Sequence, residues 1–154
     1  MIPIDGIILS LKERYENIYS NEGIDSKQLD KIKRMLHVEL PATFSEIATF
    51  FSGGYLGGIS NYSFTNCDES TNIIDETLRL REAIQLPNRF IVLAEPPESL
   101  IVMDTEESPS VIWLDAKDVS KLENKSLLIK PDEWATYQEY FIELLEEDEA
   151  EQGL

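Results

Sequence analysis

The chain has 154 residues, of which 42% are apolar and 9% aromatic, enough for one domain with its own core and too apolar for a disordered chain. Its single cysteine, Cys67, excludes an internal disulfide framework; no run approaches the roughly 20 apolar residues of a membrane helix, and the N-terminus lacks the pattern of a secretory leader, so the expected location is the cytoplasm. Thirty acidic residues against thirteen basic ones give a net charge of −17, a field that repels nucleic acid and anionic membrane and attracts a basic protein.

Three helices are expected in the first third. Over Asp5–Tyr19, Ile7, Ile8, Leu11, Tyr15 and Ile18 form one helical stripe, with Asp5 as N-cap and Gly23 ending the segment in a left-handed conformation. Asp25 and Gln28 have the spacing of a capping box, and Leu29, Ile32 and Leu36 continue that helix's inner face. Pro41 suits the start of a third helix, because its φ is preset and it has no N–H to satisfy. Phe44, Ile47, Ala48 and Phe51 supply that helix's apolar face, and Gly53-Gly54 ends it.

The period then changes. Ile59–Phe64 alternates in part and reads as a strand. Asn72 can cap a helix through about Ile84, with Ile73, Ile74, Leu78 and Ile84 on its buried side. Phe90–Ala94, Leu100–Met103 and Val111–Leu114 are short β-branched or aromatic runs. Their links are too short for parallel crossovers, so an antiparallel meander is expected. Consecutive apolar residues imply strands covered on both faces, or one face kept for a partner. A last helix is expected from Pro131-Asp132-Glu133, with Trp134, Tyr137, Phe141, Leu144 and Leu145 facing inward. The fold class is therefore α+β: one domain over residues 1–147, an antiparallel sheet packed against N- and C-terminal helices. Residues 148–154 read as a frayed acidic tail.

Motifs for catalysis are sparse, and no enzyme or cofactor is expected. His37 is the only histidine and reads as a helix-end residue, while Cys67 has no CxxC partner. Gly53-Gly54 and Gly57-Gly58 lack the pattern of a phosphate loop and read as turn glycines. Asp104, Glu106 and Glu107 could hold Mg²⁺ or Ca²⁺, but without EF-hand spacing a solvated loop is the better reading. Trp113 and Trp134 read as core residues.

Charge placement carries more information. Residues 1–52 have a net charge of −2 and residues 53–154 a net charge of −15. Between Arg89 and Lys117 there is no basic residue, while Glu95, Glu98, Asp104, Glu106, Glu107 and Asp115 all lie in or beside the meander's turns. This pattern predicts an acidic rim around apolar strands, suited to a basic partner. Acidity that serves solubility alone is the plainer alternative.

The ordered set LPATFSEIATFFSGG, LPNRFIVLAE, SLIVMDT, SVIWLDAKD and WATYQEYFIELLEE resembles the SUKH superfamily, the Smi/Knr-type bacterial immunity proteins and fungal cell-wall regulators. The resemblance runs from about residue 24 to 147. It departs at Glu95-Pro96-Pro97-Glu98, where many members turn through glycine and acidic residues; the prolines stiffen this hairpin. What the resemblance implies is an immunity protein that neutralises a cognate toxin, expected to be a basic nuclease, by steric and electrostatic occlusion. The chain would be a monomer or weak homodimer that binds neither nucleic acid nor membrane. A scaffold or regulatory interaction domain, as in the fungal relatives, is the alternative. A small metal-dependent enzyme using Asp104, Glu106 and Glu107 is a third reading.

Overall fold

The computed structural model describes residues 6–65 and 71–153. Helices α1 (Gly6–Glu16), α2 (Ser26–Leu36) and α3 (Ala42–Ile47) precede a hairpin of β1 (Gly54–Leu56) and β2 (Ile59–Asn61). Helix α4 (Ile73–Ile84) leads into the main sheet of β3 (Phe90–Ala94), β4 (Ser99–Asp104), β5 (Val111–Asp115) and β6 (Asp132–Trp134). A 3-10 helix, Ala116–Lys121, follows β5, and α5 (Tyr137–Glu151) closes the fold. The sheet order is β3-β4-β5-β6 and every pairing is antiparallel, as a meander requires. The α+β class read from the sequence is the architecture observed.

Several elements arise from local chemistry visible in the sequence. The Asp25 carboxylate accepts the Gln28 amide at 2.9 Å while the Gln28 side chain accepts the Asp25 N–H at 3.1 Å, which is the capping box in full. Asn72 caps α4 by accepting the Asp75 amide at 2.8 Å. The β3–β5 runs are strands because their side chains are buried on both faces. Ile91, Leu93, Ile101, Met103 and Val111 face a core shared with α1, α2, α3 and α5. Phe90, Val92, Leu100, Val102, Ile112 and Leu114 face a second layer made by Leu80, Leu86, Val119 and Leu122. Among the described residues both faces of β3 and β4 are covered, while Trp113 of β5 is half-buried and β6 is largely exposed.

The outer edge of β3 is sealed. Its Val92 amide donates to the buried Thr77 hydroxyl of α4 at 2.9 Å, and its Leu93 carbonyl accepts the Tyr62 amide at 2.8 Å. Beyond β6, at the other edge, no further strand pairs among the described residues.

Other expectations are corrected. Gly23 does not adopt a positive φ; it is small because a Cβ there would lie 2.0 Å from the Thr49 carbonyl oxygen, where Glu22 and Ile24 pair with Phe50 and Ala48. Ile7 and Ile84 are 58% and 40% exposed, so neither belongs to its helix's buried face. Residues 132–134 form β6, and α5 starts only at Tyr137, where Thr136 accepts the Glu139 amide. The local Pro-Asp-Glu signal resembles a helix start, but pairing of Ile112 with Glu133 makes the segment a strand. Asp5 and Cys67 lie outside the described residues.

The expected frayed tail is also corrected. Helix α5 runs unbroken to Glu151, and Asp148 is 5% exposed. Its carboxylate accepts the Tyr19 hydroxyl at 2.6 Å and the Gly57 amide at 3.0 Å. Gly57 has φ 58°, and a Cβ on it would sit 2.6 Å from the Leu144 Cα. The β1–β2 turn can therefore touch α5 only through glycine. One residue further on, Glu149 takes Arg14 of α1 in a two-pronged bridge, with Nε and Nη2 at 2.9 and 2.6 Å.

Candidate functional site

The meander places the six acidic positions at two opposite ends of the sheet. Glu95 and Glu98 lie at the β3–β4 turn, and Asp115 joins them because it pairs with Ser99. Asp104, Glu106 and Glu107 lie at the other end of β4, about 17 Å away at the usual rise per residue. The single rim expected from the sequence is thus two separate clusters.

At the β4–β5 end, Asp104 is no surface contact. It is 1% exposed, and one carboxylate oxygen faces Lys125 Nζ at 3.0 Å and Arg89 Nε at 3.2 Å. The other oxygen accepts the amides of Glu106 and Glu107 at 2.9 and 3.1 Å. Burial alone would raise the pKa of this carboxyl, but those amides and the Lys125 ammonium outweigh it and hold the group below the ordinary carboxylate range. Arg89 also lies 4.8 Å over the Phe90 ring and bridges toward Glu107 and Glu123. Asp104 therefore organises the turn and is removed from the expected partner contacts. The Glu106 carboxylate has no cation beside it among the described residues. A carboxylate already facing two cations is a poor ligand for a third. Among the described residues, no group of three or more His, Cys, Asp or Glu side chains is placed to hold a metal ion.

The β3–β4 end is built differently. Glu95 accepts the Tyr62 hydroxyl at 2.9 Å and pairs with Arg79, which also holds Glu76 at 2.8 Å. Burial, followed by that contact with Glu95, raises the Tyr62 pKa. Asp115 starts the 3-10 helix by accepting the Lys117 amide at 2.8 Å. Glu98 sits at φ 57° in the turn, with its carbonyl accepting the Ala116 amide at 3.0 Å. Its carboxylate has no hydrogen-bond or ion-pair partner among the described residues.

Beside Glu95, between α4 and the 3-10 helix, runs a groove of about 320 Å³. Leu80, Leu100 and Val119 form its floor, Ile84 stands at its wall, and Glu95 and Lys117 lie at its mouth. The floor belongs to the second apolar layer, so the groove is a window onto the core.

Sequence reasoning missed the cations at both ends, because Arg79 and Lys125 lie outside the base-free window and reach into it only through the fold. It also missed the groove, since Ile84 was placed on a buried face. The one available signal was its position as the last residue of an amphipathic helix. Trp113 packs partly buried with its indole N–H donating to the Ser99 hydroxyl at 2.8 Å, and Trp134 stacks edge-on against Tyr140. His37 is exposed, at φ 56° in the left-handed C-cap of α2. No helix among the described residues is long and apolar enough to cross a membrane.

Comparison with curated proteins finds no match. Among solved structures, the crystal structure of a protein from Pseudomonas syringae pv. tomato is similar over 90% of this chain and 98% of its own, with a TM-score of 0.61. At 17% identity, that likeness speaks for the fold alone. The sequence profile of SUKH_5, described as SMI1-KNR4 cell-wall, matches residues 4–136, from α1 to the cap of α5. With that span covering most of the chain, the protein belongs to the SUKH_5 family of the SUKH superfamily.

Proposed function

We propose that this protein is an immunity protein that binds a cognate bacterial toxin in the cytosol and neutralises it by steric and electrostatic occlusion. The family and fold suggest a protein–protein interaction role. The observation that carries the finer reading is the uncompensated acid at the meander's turns, where Glu98 and Glu106 lack cations among the described residues of a chain with net charge −17. A nuclease holds phosphates in a basic cleft, and an acidic surface can cover such a cleft without any covalent step. A nuclease is accordingly the toxin class proposed.

The test is co-purification with the product of the neighbouring open reading frame, followed by growth rescue on co-expression. A stoichiometric complex and restored growth are the expected results. The association rate should also fall as salt rises, because steering acts over about 8–10 Å at physiological ionic strength. An association rate indifferent to salt would remove the electrostatic part of the mechanism. A harmless, non-binding neighbour would favour a second reading, a scaffold or regulatory interaction domain, which the cell-wall description of the matched family supports.

A further inference from the structure

Resting on the immunity reading, we propose that Trp113, with Asp132 and Asp115 beside it on one open corner of the sheet, is the receptor for a lysine or arginine side chain of the toxin. The corner lies where the helical cover of the sheet stops. Residues two apart on a strand share a face. On the face turned to the helices, Met103 and Val111 are buried, and Trp134 meets Tyr140 of α5 edge-on. Two residues further along, toward the β3–β4 turn, Trp113 is half-buried and its directly paired neighbour Asp132 is exposed. Asp115 and Ser99, paired with each other and both half-buried, complete the corner. The indole is fixed before any partner arrives, because its N–H donates to the Ser99 hydroxyl at 2.8 Å. Among the described residues no cation or second ring stacks on it.

The chemistry of the corner names its occupant. A tryptophan face attracts a cation, and a carboxylate directly across the strands, about 4.5–5.5 Å away between Cβ atoms, supplies the counter-charge. Asp115 gives one oxygen to the Lys117 amide, and neither it nor Asp132 is in an ion pair among the described residues. The bases nearest in sequence, Lys117 and Lys130, line pockets with Leu80 and Leu100 and with Ile112 and Leu127, which belong to the layer on the other face. No lysine or arginine follows Lys130, while residues 131–154 hold nine acids. An aromatic ring between two unpaired carboxylates thus faces solvent without a cation of the chain's own. An acidic or aliphatic group would leave both carboxylates uncompensated as it covered them. A second copy brings the same acidic corner and is repelled. A lysine or arginine side chain satisfies ring and carboxylates together.

The test measures affinity of the full chain for the neighbouring open reading frame's product. Trp113→Leu keeps an apolar side chain against the core but removes the ring, and should weaken binding about tenfold or more. Trp113→Phe, which keeps a ring, should recover part of that loss. Asp132→Asn together with Asp115→Asn, the latter able to keep its cap, should slow association and flatten its salt dependence. Asp132→Lys sets the chain's own cation across from Trp113, so it should abolish binding without lowering the melting temperature. Glu106→Gln, at the other end of the sheet, should leave the dissociation rate unchanged. If wild type binds and both Trp113→Leu and Asp132→Lys bind equally well, the receptor assignment is wrong while the immunity reading stands. Should Trp113→Leu fail to fold, Asp132→Lys decides alone. If wild type captures nothing, the immunity reading fails. The corner is then tested by itself with the capped tripeptides Gly-Arg-Gly and Gly-Glu-Gly, following the Trp113 indole N–H by NMR in a Trp134→Phe chain. A shift caused by the arginine peptide alone, and lost in Asp132→Lys, supports cation recognition; no shift, or equal shifts, overturns it. Self-association of wild type that Trp113→Leu abolishes would make the occupant a second copy and overturn the assignment to a toxin.

Discussion

Asp104 shows how one buried carboxylate can be both a cost and a constraint. Its two oxygens meet two cations and two amides, so desolvation is offset and the 105–107 turn is tied to Arg89 and Lys125. Removing the charge leaves those cations facing each other in a half-buried site. Asp104→Ala should therefore destabilise the fold by about 3 kcal/mol, read as a lower urea midpoint at unchanged m-value. The pH dependence has a definite sign. Because the folded-state pKa is depressed, the native state binds fewer protons than the unfolded one in the acidic range. The Asp104 contribution is complete above the ordinary carboxylate range and is lost as pH falls through the depressed value. Wild type should thus lose more stability than Asp104→Ala on acidification, and parallel losses would remove Asp104 from the acid response.

At the scale of elements, helix ends can be tested one residue at a time. Helix α4 ends on Gln85 with φ 53°, a left-handed conformation that glycine adopts without the Cβ conflict. Gln85→Gly should stabilise by about 0.5–1 kcal/mol in thermal unfolding. At the start of α5, Thr136→Ala removes the cap on the Glu139 amide and should cost about 1 kcal/mol. An unchanged melting temperature would mean that water replaces the hydroxyl at no loss. These devices also mark how far the sequence could be read. The Asp25–Gln28 box and the Asn72 cap were legible because donor and acceptor lie three residues apart. Strands β3 to β5 were legible because runs of four or five consecutive apolar residues have few other uses. By contrast, β6 is three residues that become a strand only through β5, 19 to 23 positions away in sequence. Hairpin β1–β2 was half legible: Ile59 and the following residues alternate, but Gly54-Tyr55-Leu56 carries no strand signal of its own. The acids of the candidate site were visible, while their separation into two ends follows from register, and their cations come from α4 and the loop after the 3-10 helix.

For the whole molecule, α5 is the element that joins the helical layer to the sheet. It packs on α3, β1 and β6, and two adjacent acids near its C-terminus, which composition alone marks as solvated tail, reach Arg14 of α1 and Tyr19 just beyond that helix. Asp148 holds the Tyr19 hydroxyl, whose pKa is pushed up to about 12 first by that hydrogen bond and then by burial. Glu149 holds Arg14, and the bond from that guanidinium lowers the Glu149 pKa. A chain stopped after Glu147 deletes both carboxylates and leaves the Gly57 amide and the Tyr19 hydroxyl without their acceptor. The loss should be about 3 kcal/mol, from two hydrogen bonds to a charged group, with the partly exposed Arg14 pair adding little. Stopping after Glu151 keeps both acids and should be close to neutral. Thermal unfolding of the two truncations against the full chain separates a keystone from a tail: a lowered midpoint only for the shorter chain is expected. Equal midpoints for both would return residues 148–153 to the role of solvated acid, and the α1–α5 junction would then rest on apolar packing such as that of Tyr15 against Phe141.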